Sequence, residues 1–200
     1  FKSSTAFFAD NKPPFLIQID RFAELDMGLP VMRKGRLVGG AAIAFNRNLY
    51  YQTDNYTSVD TVDRTDFEMY SAHIFYERNS LNRKQYANEG YYTAFKVRLL
   101  QGEEFYKPGS TAPNRNAFRN VTEWVQLKVV YDNYYKSRGI LRLGVYAEAV
   151  YSTQGFFNNY TATMLNAPSF VPIPEMRTLF IPEFRAHQYL AAGLKNVVQI

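Results

Sequence analysis

Between Leu141 and Ser152 the chain alternates strictly between apolar and polar positions. Leu141, Leu143, Val145, Ala147, Ala149 and Tyr151 fall on one parity, and Arg142, Gly144, Tyr146, Glu148, Val150 and Ser152 on the other. Side chains alternate across a strand, so the stretch predicts a strand with one apolar face and one face carrying Arg142 and Glu148. The same period recurs along the chain. In Phe15–Met27, Phe15, Ile17, Ile19, Ala23, Leu25 and Met27 oppose Gln18, Asp20, Glu24 and Asp26. Around Tyr70, Tyr70, Ala72, Ile74 and Tyr76 oppose Ser71, His73 and Glu77. In Tyr91–Gln101, Phe95, Val97 and Leu99 oppose Lys96 and Arg98, and in Glu123–Asn133, Val125, Leu127, Val129 and Tyr131 oppose Gln126, Lys128 and Asp132. Leu37–Leu49, with Gly39 and Gly40 inside it, and a last run from Tyr189 complete the set. No stretch carries a clear helical period. The pattern predicts an all-β antiparallel chain of about eight strands.

The connections alternate too. Short turns are expected at Arg33–Gly35, around Leu81–Gly90 and at Lys136–Gly139. Long polar loops are expected in "TDNYTSVDTVDRTD", in "KPGSTAPNRNAFRN" and after Gln154. Charged side chains occupy mid-strand positions opposite a continuous apolar face. A small soluble barrel fills its interior with apolar residues and keeps charge outside; a membrane barrel reverses this. The reading that follows is a transmembrane β-barrel. Leu127, Val129, Leu143 and Val145 face lipid, while Gln126, Lys128, Arg142, Glu148, Lys96 and Arg98 face the lumen. In hydrocarbon every backbone group must pair, which requires a closed sheet. Tyr50, Tyr51, Tyr91, Tyr92, Tyr134 and Tyr135 near strand ends read as interfacial aromatic girdles. A soluble all-β lipid-binding protein shares the alternation and is the rival on pattern alone.

The 200 residues suit one domain, here residues 1–200 as part of a single barrel. Mean hydropathy is −0.33, and there is no apolar run of about 18 residues, so no membrane-spanning helix is expected; a barrel passes this test. There are no cysteines, which removes disulfides, thiolate nucleophiles and Cys-based zinc sites. The net charge of +5 is scattered without a Lys/Arg cluster and gives no nucleic-acid signal. The start "FKSSTAFFAD" and the end "NVVQI" read as cuts through strands, so the chain is expected to be a piece of something larger, with about eight strands of a bigger barrel.

Two resemblances sharpen this. "FYERNSLNRKQYANEGYY", Phe75–Tyr92, resembles the strand–turn–strand unit of the bacterial surface antigen barrel shared by BamA- and TamA-type outer-membrane assembly proteins. Asn79, Leu81, Asn82, Arg83, Tyr86 and Gly90 carry it, with Ala87 where that family often has Pro. More closely, "FKSSTAFFADNKPPFL", "KPGSTAPN" and "VYSTQGFFNNYTATMLNAPSFVPIPEMRTLFIPEFRAHQYLAAGL" look like the C-terminal barrel of Bacteroidetes patatin-like phospholipases, over essentially the whole chain. That resemblance implies a Gram-negative outer-membrane location and a catalytic patatin domain and periplasmic segment elsewhere in the same polypeptide. It further implies membrane lipids and the barrel-assembly machinery as partners. The alternative it leaves is a BamA-like insertion barrel. It also implies a lumen-loop arginine, Arg185 in "EFRAHQYL", paired with an acidic residue of the barrel wall; here Ala186 and His187 replace the usual Gly and aromatic.

The residues themselves offer little catalytic chemistry. A patatin-type lipase needs a serine on a G-x-S-x-G elbow, and the chain has none. This chain is therefore expected not to be an enzyme by itself and to need no cofactor. Ser71 and His73 are neighbours on one flat strand, so His73 reads as a hydrogen-bonded wall residue. His187 lies too far along the chain to pair with it as a metal site. Asp54, Asp60, Asp63 and Asp66 lack EF-hand spacing and read as a solvated loop. The prolines of "FVPIPE" read as stiffening an external loop. If the parity is right, Val145→Arg costs about 2–4 kcal/mol on a lipid face and removes the chain from the membrane fraction, while Arg142→Gln is milder. Equal membrane yields for the two variants would refute the assigned faces.

Overall fold

The computed structural model describes residues 15–198, apart from 54, 114, 172–175 and 177–178. Among these described residues, seven strands form one antiparallel sheet in sequence order. They are β1 (Phe15–Pro30), β2 (Gly35–Tyr50), β3 (Asp63–Asn79), β4 (Tyr91–Lys107), β5 (Phe118–Lys136), β6 (Leu141–Ser152) and β7 (Tyr189–Val198). Most are 16 to 19 residues long, about three times the usual strand. They begin earlier and end later than the alternation alone marks, because polar residues such as Asp63–Asp66 and Phe118–Asn120 join the ladder at the loop end. The β1 and β7 edges do not pair with each other.

The β1–β2 and β5–β6 connections are tight. The first places Met32 and Lys34 at positive φ, 57° and 68°, and closes with Val31 N–H donating to the Gly35 carbonyl at 3.0 Å. The second ends on Gly139 at φ 85°, a backbone state that favours glycine.

The two faces of the sheet differ in what covers them. The described residues of the segment between β6 and β7 lie across one, which we call the covered face; the other is open. A short helix, α1 (Tyr160–Asn166), sits in that segment. No helix was expected there, because seven residues are too few to show a period or to be stable alone. Asn159 caps it, accepting from Ala162 N–H at 2.8 Å, and tertiary contact does the rest.

Phe67, Met69, Leu100 and Trp124 from β3, β4 and β5 pack with Phe157 and Ala162 of the covering segment into a small buried cluster. Phe67 and Phe157 ring centroids lie 4.5 Å apart, and Trp124 and Phe157 5.3 Å apart. Gly102 makes room for them: a Cβ there would lie 2.3 Å from Phe67 Cζ and 2.9 Å from Trp124 Cζ3.

On the open face the large apolar side chains stay exposed. Leu25 is 75% exposed, Ile74 59%, Leu190 79% and Leu194 78%. Among the described residues the buried apolar core is thus on the face that also carries the charges. Gly102→Val should cost about 1–3 kcal/mol by overpacking. Gly39, with nothing within 4 Å of its added Cβ, should accept Val within about 0.5 kcal/mol. Unfolding midpoints of the two variants check this; similar losses would contradict the cluster geometry.

Candidate functional site

The open face carries an apolar belt. In β2 it runs Leu37, Gly39, Ala41, Ile43 and Phe45; in β3 Tyr76, Ile74, Ala72 and Tyr70; in β4 Phe95, Val97 and Leu99. In β5 it runs Tyr131, Val129, Leu127 and Val125, and in β6 through all of Leu141–Tyr151 on the odd parity. The β7 run is Leu190, Ala192, Leu194 and Val198, broken by Asn196. The nine-residue span of Leu37–Phe45 matches the roughly 9–11 residues that cross a bilayer core when a strand tilts by about 45°.

The belt drifts across the sheet. Its centre is Ala41 in β2, and that row passes through Ala72 and Leu99 to Val125 in β5. Its centre in β7 is Leu194, whose row passes through Val145 to Asn133 in β5. From Val125 to Asn133 is a slip of eight residues over five strand-to-strand steps. At roughly 3.3 Å per residue and 4.8 Å per step, a level belt requires strands tilted by about 45–50° from the belt's normal. Membrane barrels tilt their strands by about 35–45°. Polar residues border the belt at the loop end. Arg47 Nε donates to Asp66 at 2.7 Å, Arg64 also bonds Asp66, Arg119 pairs with Glu103, and Gln101 donates to Glu123 at 3.1 Å.

The structure places Gln126, Lys128, Arg142, Glu148, Lys96 and Arg98 on the covered face, and Leu127, Val129, Leu143 and Val145 on the open one. The expected aromatic girdle is corrected in part. Tyr50 and Tyr134 are buried on the covered face, Tyr92 donates to Glu77 at 3.2 Å there, and Tyr51 stacks on Tyr56 in the loop. Parity, which the sequence displayed, decides this over nearness to a strand end. The exposed aromatics at the belt margins are Tyr70, Phe95, Tyr131, Tyr135 and Tyr151.

On the covered face the charges pair across strands. Glu148 is buried and meets Lys128 Nζ at 2.5 Å, with the Tyr146 and Tyr189 hydroxyls donating to it. Lys195 meets Asp132 at 2.5 Å. Arg142 donates to the Asn88 side chain at 2.9 Å and lies 3.7 Å from Glu89. His73 Nε2 lies 3.1 Å from Asp26 and 3.5 Å from Glu24. Asp26 and His73 come from strands on either side of β2 and meet over Gly40, whose Cβ would lie 2.0 Å from Asp26 Oδ1. These three ligand-type atoms are close enough to share a cation. The three already contact one another, and Lys96 and Arg98 stand on the next strand.

Asn159 is a hub that the sequence did not single out. Its N–H donates to buried Glu104 at 2.6 Å, and its side chain donates to the Thr65 carbonyl at 3.0 Å and accepts from Asn48 at 3.1 Å. It thereby ties the covering segment to β2, β3 and β4. A polar residue heading "TATMLN" is the only local sign of it.

Arg185 does not pair with a carboxylate; among the described residues none lies within 4 Å. Its Nη1 donates to the carbonyls of Met164 at 3.1 Å and Ala167 at 3.0 Å, at the C-terminal end of α1, where a cation is favoured. Its guanidinium lies over Phe180, 4.6 Å from the ring centroid. Burial pushes Arg185 and His187 below their ordinary pKa values. His187 packs edge-on to Phe156.

The acidic loop residues do not converge. Asp54 lies outside the described residues. Asp60 joins two loops, accepting from Ser110 Oγ at 2.7 Å and Thr57 N–H at 2.7 Å. Asp63 accepts from Gly109 N–H, and Asp66 holds the two arginines.

Comparison of the chain with family models, curated proteins and solved structures gave no match.

The bonds from Ser110 and Thr57 hold the Asp60 carboxyl below its usual pKa. A carboxylate lowered by folding stabilises above its unfolded value and loses that effect as pH falls through the folded one. The Thr57 amide should therefore be protected from hydrogen exchange at neutral pH and lose protection as pH falls below about 4. Asp60→Ala should expose it at every pH; an unchanged Thr57 amide would contradict the tether.

Proposed function

We propose that this sheet is part of an outer-membrane β-barrel that anchors, or serves as translocator for, a patatin-like phospholipase whose catalytic domain lies outside these residues. The observation that supports the membrane reading is the drifting apolar belt on the open face, where charge such as Arg21, Arg47, Asp66, Glu68 and Glu103 stays at the loop-end border, while the charges level with the belt lie on the covered face. A soluble sheet that left such a belt in water would expose far more contiguous apolar surface than monomers tolerate. In this reading the belt meets lipid, the covering segment lies in the lumen, and further strands pair the β1 and β7 edges to close the barrel. Arg185 holds the end of α1 and so steadies the lumen segment. The patatin assignment rests on the resemblance of "VYSTQGFFNNYTATMLNAPSF" and "KPGSTAPN" to that family's barrel, and on the lack of a serine elbow here, which puts the chemistry elsewhere.

The turn unit at Phe75–Tyr92 favours a second reading, a BamA-like insertion barrel. There Asn82 Nδ2 donates to Asn88 at 2.7 Å and Ser80 N–H to the Tyr91 carbonyl at 2.8 Å, giving a stiff, self-bonded turn.

One experiment separates these. The native polypeptide containing this stretch is isolated from fractionated cells and sequenced by peptide mass. An alkali-resistant membrane polypeptide with an upstream G-x-S-x-G peptide is expected. Repeated periplasmic modules without that serine would transfer the barrel to the insertion reading. Good yield without detergent would defeat both in favour of a soluble lipid-binding protein.

A further inference from the structure

On the covered face, Lys96 of β4 stands directly opposite Lys128 of β5, and Arg98 opposite Gln126. Like charges directly opposite on neighbouring strands repel. Arg185 of the covering segment joins them around one cavity of about 260 Å³, roofed by the backbone from Asn166 to Ser169. Four cations thus line a single space.

The compensating acids do not suffice. Glu148 is within 4 Å of Lys128 only. Glu24 and Asp26 of β1 make their closest approach to His73 of β3 and reach Lys96 and Arg98 only as longer-range charges, beyond 4 Å. Asp132 of β5 takes Lys195 of β7. Among the described residues no carboxylate lies within 4 Å of Lys96, Arg98 or Arg185. Arg98 is left with a hydrogen bond to Gln126 Oε1 at 3.3 Å, and Gln126 is itself fixed by donating to the Asn166 carbonyl at 3.0 Å. Arg185 Nε is buried with no acceptor. Removing cations from water without a counter-charge is costly. The cost falls when an anion enters the space between them.

We propose that this cavity binds an oxyanion of the phosphate or sulfate type. Arg98 and Arg185 supply forked donors, and Lys96 and Lys128 supply point charges. Arginine's planar fork matches two oxygens of a tetrahedral oxyanion, and lysine adds charge without fixing orientation. The volume exceeds that of a bare phosphate, so the ligand is a phosphoryl group with bound waters or with a small substituent. The site stands on the covered face and holds whether or not the open face meets lipid.

The test uses the full chain and inorganic phosphate, followed by titration calorimetry at low ionic strength. Saturable binding with a dissociation constant of about 1 mM or tighter is expected. Arg98→Gln and Lys96→Gln should each weaken it at least ten-fold. Arg98→Lys, which keeps the charge and guards against a folding defect, should weaken it less than Arg98→Gln. Lys34→Gln, in the exposed β1–β2 turn, should leave it unchanged. Non-saturable binding, or equal loss in Lys34→Gln, would overturn the site. So would phosphate binding untouched by Arg98→Gln, as would be seen if a carboxylate from elsewhere in the chain fills the cavity. Repeating the titration in phosphatidylcholine vesicles with and without phosphatidylglycerol assigns the source. Suppression by phosphatidylglycerol identifies a lipid headgroup, and equal binding a soluble phosphoryl compound.

Discussion

The arrangement depends on one constraint: within the apolar belt, charge is kept off the open face of the sheet. Strand parity then sends the charges level with the belt to the opposite face, where Lys128 pairs with Glu148 and Asp132 with Lys195, and Lys96 and Arg98 are left without a carboxylate within 4 Å among the described residues. Glu148 draws Lys128, Tyr146 and Tyr189 from three strands onto one buried carboxylate. The covering segment follows from the same constraint. A face crowded with half-buried charge and amide groups needs a polar cover: Asn159 donates to the Thr65 carbonyl of β3, and the Asn166 carbonyl accepts from Gln126 of β5.

Within the covered face the balance changes along the strands. Towards the loop end an aromatic cluster lies beside the buried polar hub of Asn48, Thr65, Glu104 and Asn159. Phe67 and Trp124 fold over Gly102, and Phe157 of the covering segment completes the cluster. Towards the turn end the wall is ionic. Arg185 lines the cavity at the ionic zone, with its Nη1 on the last carbonyls of α1 and its Nε buried without a hydrogen-bond partner among the described residues. Its environment is that of a group placed to hold a segment and to contribute charge to the cavity beneath it.

The strands and their faces were legible in the sequence because a period of two survives in the side chains themselves. Leu141–Tyr151 and Phe95–Leu99 needed no knowledge of neighbours. What was hidden lay in relations between strands. The meeting of Asp26 and His73 over Gly40 exists only once the register of β1, β2 and β3 is known, and the drift of the belt appears only when rows are followed across the sheet. Tyr50, Tyr92 and Tyr134 were misplaced because they were grouped by nearness to strand ends. The helix at Tyr160–Asn166 was invisible, since a single cap and tertiary burial hold it. The resemblance implied an acidic partner for Arg185, whereas its Nη1 donates to the carbonyls of Met164 and Ala167.

The membrane account is tested most directly by spin labels, for which the cysteine-free chain offers a clean background. Single cysteines from Leu141 to Ser152, each carrying a nitroxide in the bilayer-reconstituted chain, would be read for collisions with oxygen and with a water-soluble nickel complex. The account predicts a period of two, with the odd positions favouring oxygen, most strongly at Val145 and Ala147, and the even positions low in oxygen contact. Uniform access of the nickel complex to the odd positions would place the open face in water and contradict the account.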